Sequence, residues 1–183
     1  MFVIFIAVVV GLVLYFVSLY NGLVRSRNEV KSAWGSIDVQ LKRRYDLIPN
    51  LIEAVKGYTA HERQTLEAVV RARQQAISFT GGVEERGKVE NILTQSLRSL
   101  FALAEAYPDL KANQNFLALQ EELTVTENKI GFARQYYNDT AMHYKNRVEV
   151  LPSNIIANMF GFRAEPFFQM EAMEERTAPQ VKF

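Results

Sequence analysis

The sequence predicts an all-α protein: one N-terminal transmembrane helix, then an antiparallel bundle of long helices, four-helix and up-down-up-down. Three observations predict it. The first nineteen residues, MFVIFIAVVVGLVLYFVSL, carry no charged side chain, and only Gly11 and Ser18 break the apolar run. Beyond them, apolar residues recur in steps of three and four over long stretches. Glycine and proline, 9 and 5 in 183 residues, gather at a few places, which favours long helices over a many-stranded fold.

A helix rising about 1.5 Å per residue crosses a hydrocarbon core of about 30 Å in about 20 residues. Residues 1–20 therefore suffice as a membrane anchor, built on Phe2, Ile4, Phe5, Val9, Leu12, Leu14, Phe16 and Leu19. A cleaved secretory signal fits less well. No Lys or Arg precedes the core, the core is too long, and SLYNGLVRSR offers no A-x-A site. Tyr15 and Tyr20 stand where aromatic side chains favour the membrane interface. Arg25, Arg27 and Lys31, then Lys42, Arg43 and Arg44, follow the span, and no charged side chain precedes it. The excess of basic residues on that side predicts a single-pass protein of the cell membrane, with its N-terminus outside and the helical domain cytoplasmic.

The helical domain is expected at residues 21–160. Val30, Trp34, Ile37, Leu41, Ile48, Leu51 and Val55 make a heptad-like stripe, with Arg44 in its one missing position. An inward arginine needs a carboxylate partner to offset desolvation, so Arg44 is expected to make a structural polar contact. Between Tyr20 and Val30 only Gly22 could break the chain, so the anchor is expected to run straight into this helix. Pro49 is expected to kink it or to begin a new segment capped by Asp46. Gly57 ends it, and Thr59, with Glu62 three residues on, opens the second helix, carrying Leu66, Val69, Val70, Ala72 and Ile77. Gly81-Gly82 marks a loop. The third helix is expected from Val83 to Tyr107, with Val89, Leu93, Ser96, Leu97, Leu100, Phe101 and Ala104 on one side and Pro108 as its stop. Asp109 or Asn113 begins the fourth, whose stripe runs from Phe116 to Tyr144, and Ser153 is expected to cap a short last helix through Met159.

Residues 161–183 read as an aromatic and then flexible tail. In an up-down-up-down order the fourth helix returns to the membrane. Phe160, Phe162, Phe167 and Phe168, with Tyr20, Leu23 and Val24, are then the expected membrane-proximal or interprotomer contacts. The plainer alternative is a tail packed across the base of its own bundle.

Chemistry is hard to find. There is no cysteine, which excludes disulfides, thiol catalysis and thiolate-bound zinc. His61 opens HERQTL, without the second histidine of HExxH, and Tyr58 and Thr140 stand three residues before His61 and His143, so no Glu-x-x-His pair exists. GxxxxGK[ST], GxGxxG and GxSxG do not occur. With net charge +1 and interspersed charges, no nucleic-acid footprint appears. No catalytic, cofactor-binding or metal site is expected, and no enzyme.

Several segments in consistent order resemble the LemA family. They are YNGLVRSRNEVKSAWGSIDVQLKRRYDLIPNLIEAVKGY, HERQTL with ARQQA, LFALAEAYPDLKANQNFLALQEEL with TENKI and ARQYYN, and LPSNIIANMFGF with PFF. The resemblance implies one N-terminal membrane helix, a bundle of long helices, no established enzymatic activity, and self-assembly or organisation at membranes. Asp46, Pro49, Asn50, Tyr107, Pro108, Asp109 and Asn113, within its most specific motifs, read as helix breaks and caps. The expected function is a membrane-anchored scaffold or assembly protein, with membrane lipid, further copies of itself and an unidentified protein as partners, and no cofactor. The alternative is a tethered sensory or regulatory module that binds a small molecule or peptide.

Overall fold

Periodicity of three and four residues yields helices throughout the described residues, 1–58 and 62–168 of a computed structural model. They are α1 (Phe2–Lys56), α2 (Arg63–Ser78), α3 (Val83–Ala104), α4 (Pro108–Lys111), α5 (Gln114–Glu149) and α6 (Ser153–Met159), with no strand among them. The contacts divide the chain into two compact units. One joins Met1–Asp46 to Glu122–Phe167, and the other joins Leu47–Glu121 to Phe168.

In the first unit, α1 passes without a break from the uncharged stretch into the polar sequence. Its residues through Ser18 are exposed without exception, and this stretch is long and apolar enough to cross a membrane. Past Leu19 the inward row is Leu23, Ser26, Val30, Ala33, Ile37, Leu41 and Arg44. Facing residues on α5 are Leu123, Thr126, Ile130, Tyr137, Ala141 and Tyr144. Contacts set their direction. Arg44 meets Glu127, Trp34 meets Tyr137 and Gly22 meets Arg147, so descending α1 means ascending α5. The two helices are antiparallel in this unit. Each fully buried Leu or Ile contributes about 1.5–3 kcal/mol of hydrophobic stabilisation.

In the second unit, Ile48, Leu51, Ile52 and Val55 of α1 are buried, as are Phe116 of α5 and Leu110 of α4. Helices α2 and α3 pack on each other across the Gly81-Gly82 turn. Glu85 accepts a hydrogen bond from the Gly82 N–H at 3.2 Å, satisfying one donor at the α3 start. Phe101 and Phe116 meet edge to face at 6.3 Å. Asn113 is the N-cap of α5: its Oδ1 accepts from the Phe116 N–H at 3.1 Å while its Nδ2 donates to the Tyr58 hydroxyl at 2.9 Å.

Several expectations need correction. Pro49 does not begin a new segment capped by Asp46, because it lies inside the continuous helix. Its ring is on the exposed side, and the buried Ile48 and Leu51 hold the helix around it. On α2 the buried row is Val69, Ala72 and Ala76, leaving Val70 and Ile77 exposed. Small side chains face α3, so the closeness of the two helices outranks bulk. The third helix ends at Ala104, and Pro108 is the first residue of α4 rather than the stop of α3. Thr59 lies outside the described residues.

Pro49 removes one backbone donor from the helix. Replacing this exposed residue, Pro49→Ala, is expected to stabilise the full chain by on the order of 1–3 kcal/mol. Urea unfolding in mild detergent reads it, and a loss of stability would show that the proline is required where it stands.

Candidate functional site

The densest meeting of aromatic and charged side chains lies in the first unit, where the chain after α6 returns to α1 and α5. On α1, Tyr20, Leu23, Arg27 and Trp34 are spaced by three, four and seven residues and so share one side. Gly22 allows α5 to come near: a Cβ at that position would stand 2.6 Å from Arg147 Nη1. The Ser153 hydroxyl donates to the carbonyls of Arg147 (2.6 Å) and Val150 (3.0 Å), closing the end of α5. Ser153 is therefore not the cap of α6, whose N-cap is Pro152.

Helix α6 ends on Gly161 at φ +70°, where an L side chain would be strained. The Phe162 N–H donates to Ala157 O at 2.9 Å and the Gly161 N–H to Asn158 O at 3.4 Å, the paired bonds of a Schellman turn. This reversal returns the chain to α1. Phe160 and Phe162 both stand edge-on to Tyr20, at 4.9 and 5.7 Å between ring centres. The Arg27 guanidinium lies 5.0 Å over the Phe162 ring.

Further along, Tyr137 packs edge-on against Trp34 at 5.6 Å and donates its hydroxyl proton to Pro166 O at 2.9 Å. Burial, and secondarily the Glu165 carboxylate, push the Tyr137 phenol up to about 12. Burial raises Tyr144 as well, with Arg27 opposing and Glu165 reinforcing the shift. Lys145 Nζ sits 5.7 Å over Phe167. Both phenols thus stay protonated at neutral pH. The arrangement fastens the returning segment to the helix pair and supplies no activated nucleophile.

Arg44 has no solvent exposure, and its Nη1 stands 2.5 Å from Glu127 Oε2. This is the structural contact expected of a charge inside the stripe. The neighbouring Arg43–Glu122 pair, at 2.7 Å, is half-exposed on both sides and contributes little.

The anchor residues Phe2, Ile4, Phe5, Val9, Leu12, Leu14 and Phe16 are exposed on α1, and Leu19 is half-exposed. Of the seven expected contact residues, Tyr20 and Phe160 (58 % exposed) face outward, while Val24 and Phe167 are half-buried. Leu23 (0 %), Phe162 (6 %) and Phe168 (2 %) are buried within the chain itself, so they are core rather than contacts. For Phe162 the reason is the turn at Gly161, which aims it inward. Gly161 just past a short helix was the available signal for that turn, whereas nothing local marks Glu165 as the neighbour of two tyrosines. His143 is exposed, His61 lies outside the described residues, and among the described residues no three metal-ligating side chains come together.

The fold and this cluster define a class: a helical protein with, among the described residues, one helix long and apolar enough to cross a membrane. The model of the LemA family matches residues 33–183, and the chain belongs to that family. It is 25 % identical over 178 residues to Protein LemA of Metamycoplasma hominis, covering 94 % of this chain and 80 % of that protein. It is 21 % identical over 175 residues to the magnetosome protein MamQ 2 of Paramagnetospirillum magneticum. It is also 19 % identical over 174 residues to the magnetosome protein MamQ of Magnetospirillum gryphiswaldense. These alignments cover 82 % and 81 % of this chain, which spans 64 % of the length of each magnetosome relative.

Two predictions follow the geometry. Glu127→Ala leaves the buried Arg44 guanidinium without this carboxylate and is expected to cost about 3 kcal/mol, while pairing it with Arg44→Met recovers most of the loss. Denaturant unfolding of both variants measures it. Because the folded Tyr137 pKa exceeds its ordinary 10.0, the stability tied to the neutral phenol is whole below pH 10.0 and disappears as pH rises through about 12. Alkaline titration of phenolate absorbance should show a late-ionising component that Tyr137→Phe diminishes.

Proposed function

We propose that this LemA-family protein is a membrane-anchored, non-enzymatic helical scaffold that associates with copies of itself at the membrane. One observation carries the reading: an uncharged helical stretch, exposed through Ser18, continues directly into a well-packed polar-faced helix. Such a surface is stable in lipid and costly in water. Kinship with proteins named for the magnetosome is in keeping with a membrane location. The exposed Arg25 and Lys31 just past the span favour a cytoplasmic domain with the N-terminus outside. The up-down-up-down order belongs to the same reading, supported by the antiparallel α1–α5 pair in one unit and the packed α2–α3 pair in the other.

Self-association draws on a second apolar row. On α5, Val125, Phe132 and Tyr136 recur at intervals of seven and four and are all exposed, on the side away from the buried Ile130 and Tyr137. Val39 is likewise exposed on α1. A helix pair that acted alone would have no use for such a row.

Full-length protein in mild detergent should show concentration-dependent oligomers by mass photometry and cross-linking. Phe132→Ser with Tyr136→Ser should shift the distribution toward monomer without loss of helicity. A wild-type chain that stays monomeric at every concentration would overturn the assembly reading.

A further inference from the structure

We infer that α6 and its flanks form a second membrane contact, an interfacial foot that rests its apolar side on the phospholipid surface beside the anchor helix. The inference rests on the reading of α1 as an anchor and names the partner of the surface next to it. Along the chain, Leu151, Ile155 and Met159 stand four residues apart, and all are strongly exposed, together with Val150 and Phe160. The opposite side of α6 is buried through Ile156 and Ala157. A seven-residue helix that buries one side and bares isoleucine and methionine on the other is amphipathic in reverse: its outward side is apolar.

What covers that side follows from where it sits. Phe16, Val17 and Tyr20 of α1 line one wall of an apolar groove, and Ile156, Met159 and Phe160 line the other. Phe16 and Val17 belong to the uncharged stretch itself, and Tyr20 closes it. The exposed surface of α6 is therefore continuous with the anchor and stands at the depth where the span ends. Side chains there meet the boundary between acyl chains and headgroups, the region that aromatic rings and amphipathic helices occupy.

Charge agrees with this assignment. Arg25 is exposed one turn past Tyr20, Arg163 is exposed just after Phe162, and Arg147 lies against Gly22. Glu149, at the same end of α5, stands 3.9 Å from Lys145. Apolar side chains bordered by guanidinium groups suit a surface of lipid phosphates over acyl chains. About this end of the unit Arg25, Arg147 and Arg163 stand with Glu149 and the half-buried Glu165, an excess of cationic groups that suits lipid phosphates.

Because the protein has no cysteine, single cysteines can report depth. Full-length Ile155→Cys, Met159→Cys, Leu12→Cys and Val39→Cys, each carrying an environment-sensitive fluorophore, would be reconstituted in vesicles of phosphatidylcholine and phosphatidylglycerol. Lipids brominated on the acyl chain near the headgroup serve as quenchers. Positions 155 and 159 are expected to be quenched severalfold more than 39, with blue-shifted emission, while position 12 is quenched by lipids brominated deep in the chain. Quenching at 12 without quenching at 155 and 159 overturns the foot and leaves the anchor standing. Absence of quenching at 12 overturns both. Disulfides between copies at 155 or 159, in place of quenching, overturn the lipid assignment in favour of a second copy.

Discussion

Two helices far apart in the chain, α1 and α5, lie antiparallel in the unit that holds the uncharged stretch, and what is built there depends on how near they come. Three contacts of different kinds set that approach. Arg44 reaches Glu127, Trp34 meets Tyr137, and Gly22 yields room for Arg147. A slip of one residue along either helix would turn the buried rows outward and strand the Arg44 charge in an apolar interior. Polar specificity and apolar packing thus enforce the same register. The returning segment after α6 can then find Tyr20, Arg27 and Tyr137 where it needs them.

That dependence explains which parts of the fold are legible in the sequence. The helices on either side of Gly81-Gly82, the unbroken passage from the apolar stretch into α1, and the role of Asn113 follow from spacing and cap chemistry, which are local. Arg44 is legible for the opposite reason, as a charge where the stripe demands an apolar residue. The buried side of α2 is legible only in part: Val69 and Ala72 follow from the spacing, but apolarity ranks Val70 and Ile77 above Ala76, which is the residue buried. Pro49 misleads in a similar way, since its local cost is outweighed by burial of Ile48 and Leu51.

The aromatic C-terminal region shows the same division more sharply. Composition alone groups its phenylalanines together, yet they divide into inward and outward sets. Phe162 turns in because Gly161 adopts a left-handed conformation and closes α6 with two reversed hydrogen bonds. Phe160, one residue before that turn, remains outside on Tyr20. The influence of the Glu165 carboxylate on Tyr137 and Tyr144 has no sequence signature at all, because it arises only after the long helices have packed.

The rings of Phe160 and Phe162 against Tyr20 also make a mechanical short circuit. Tyr20 stands at the end of the uncharged stretch, and its neighbours across the contact lie some 140 residues later in the chain. A pull or tilt applied at the N-terminal helix would therefore be felt at the α6 turn through these two ring-to-ring contacts, without first travelling through the helices that separate the two in sequence.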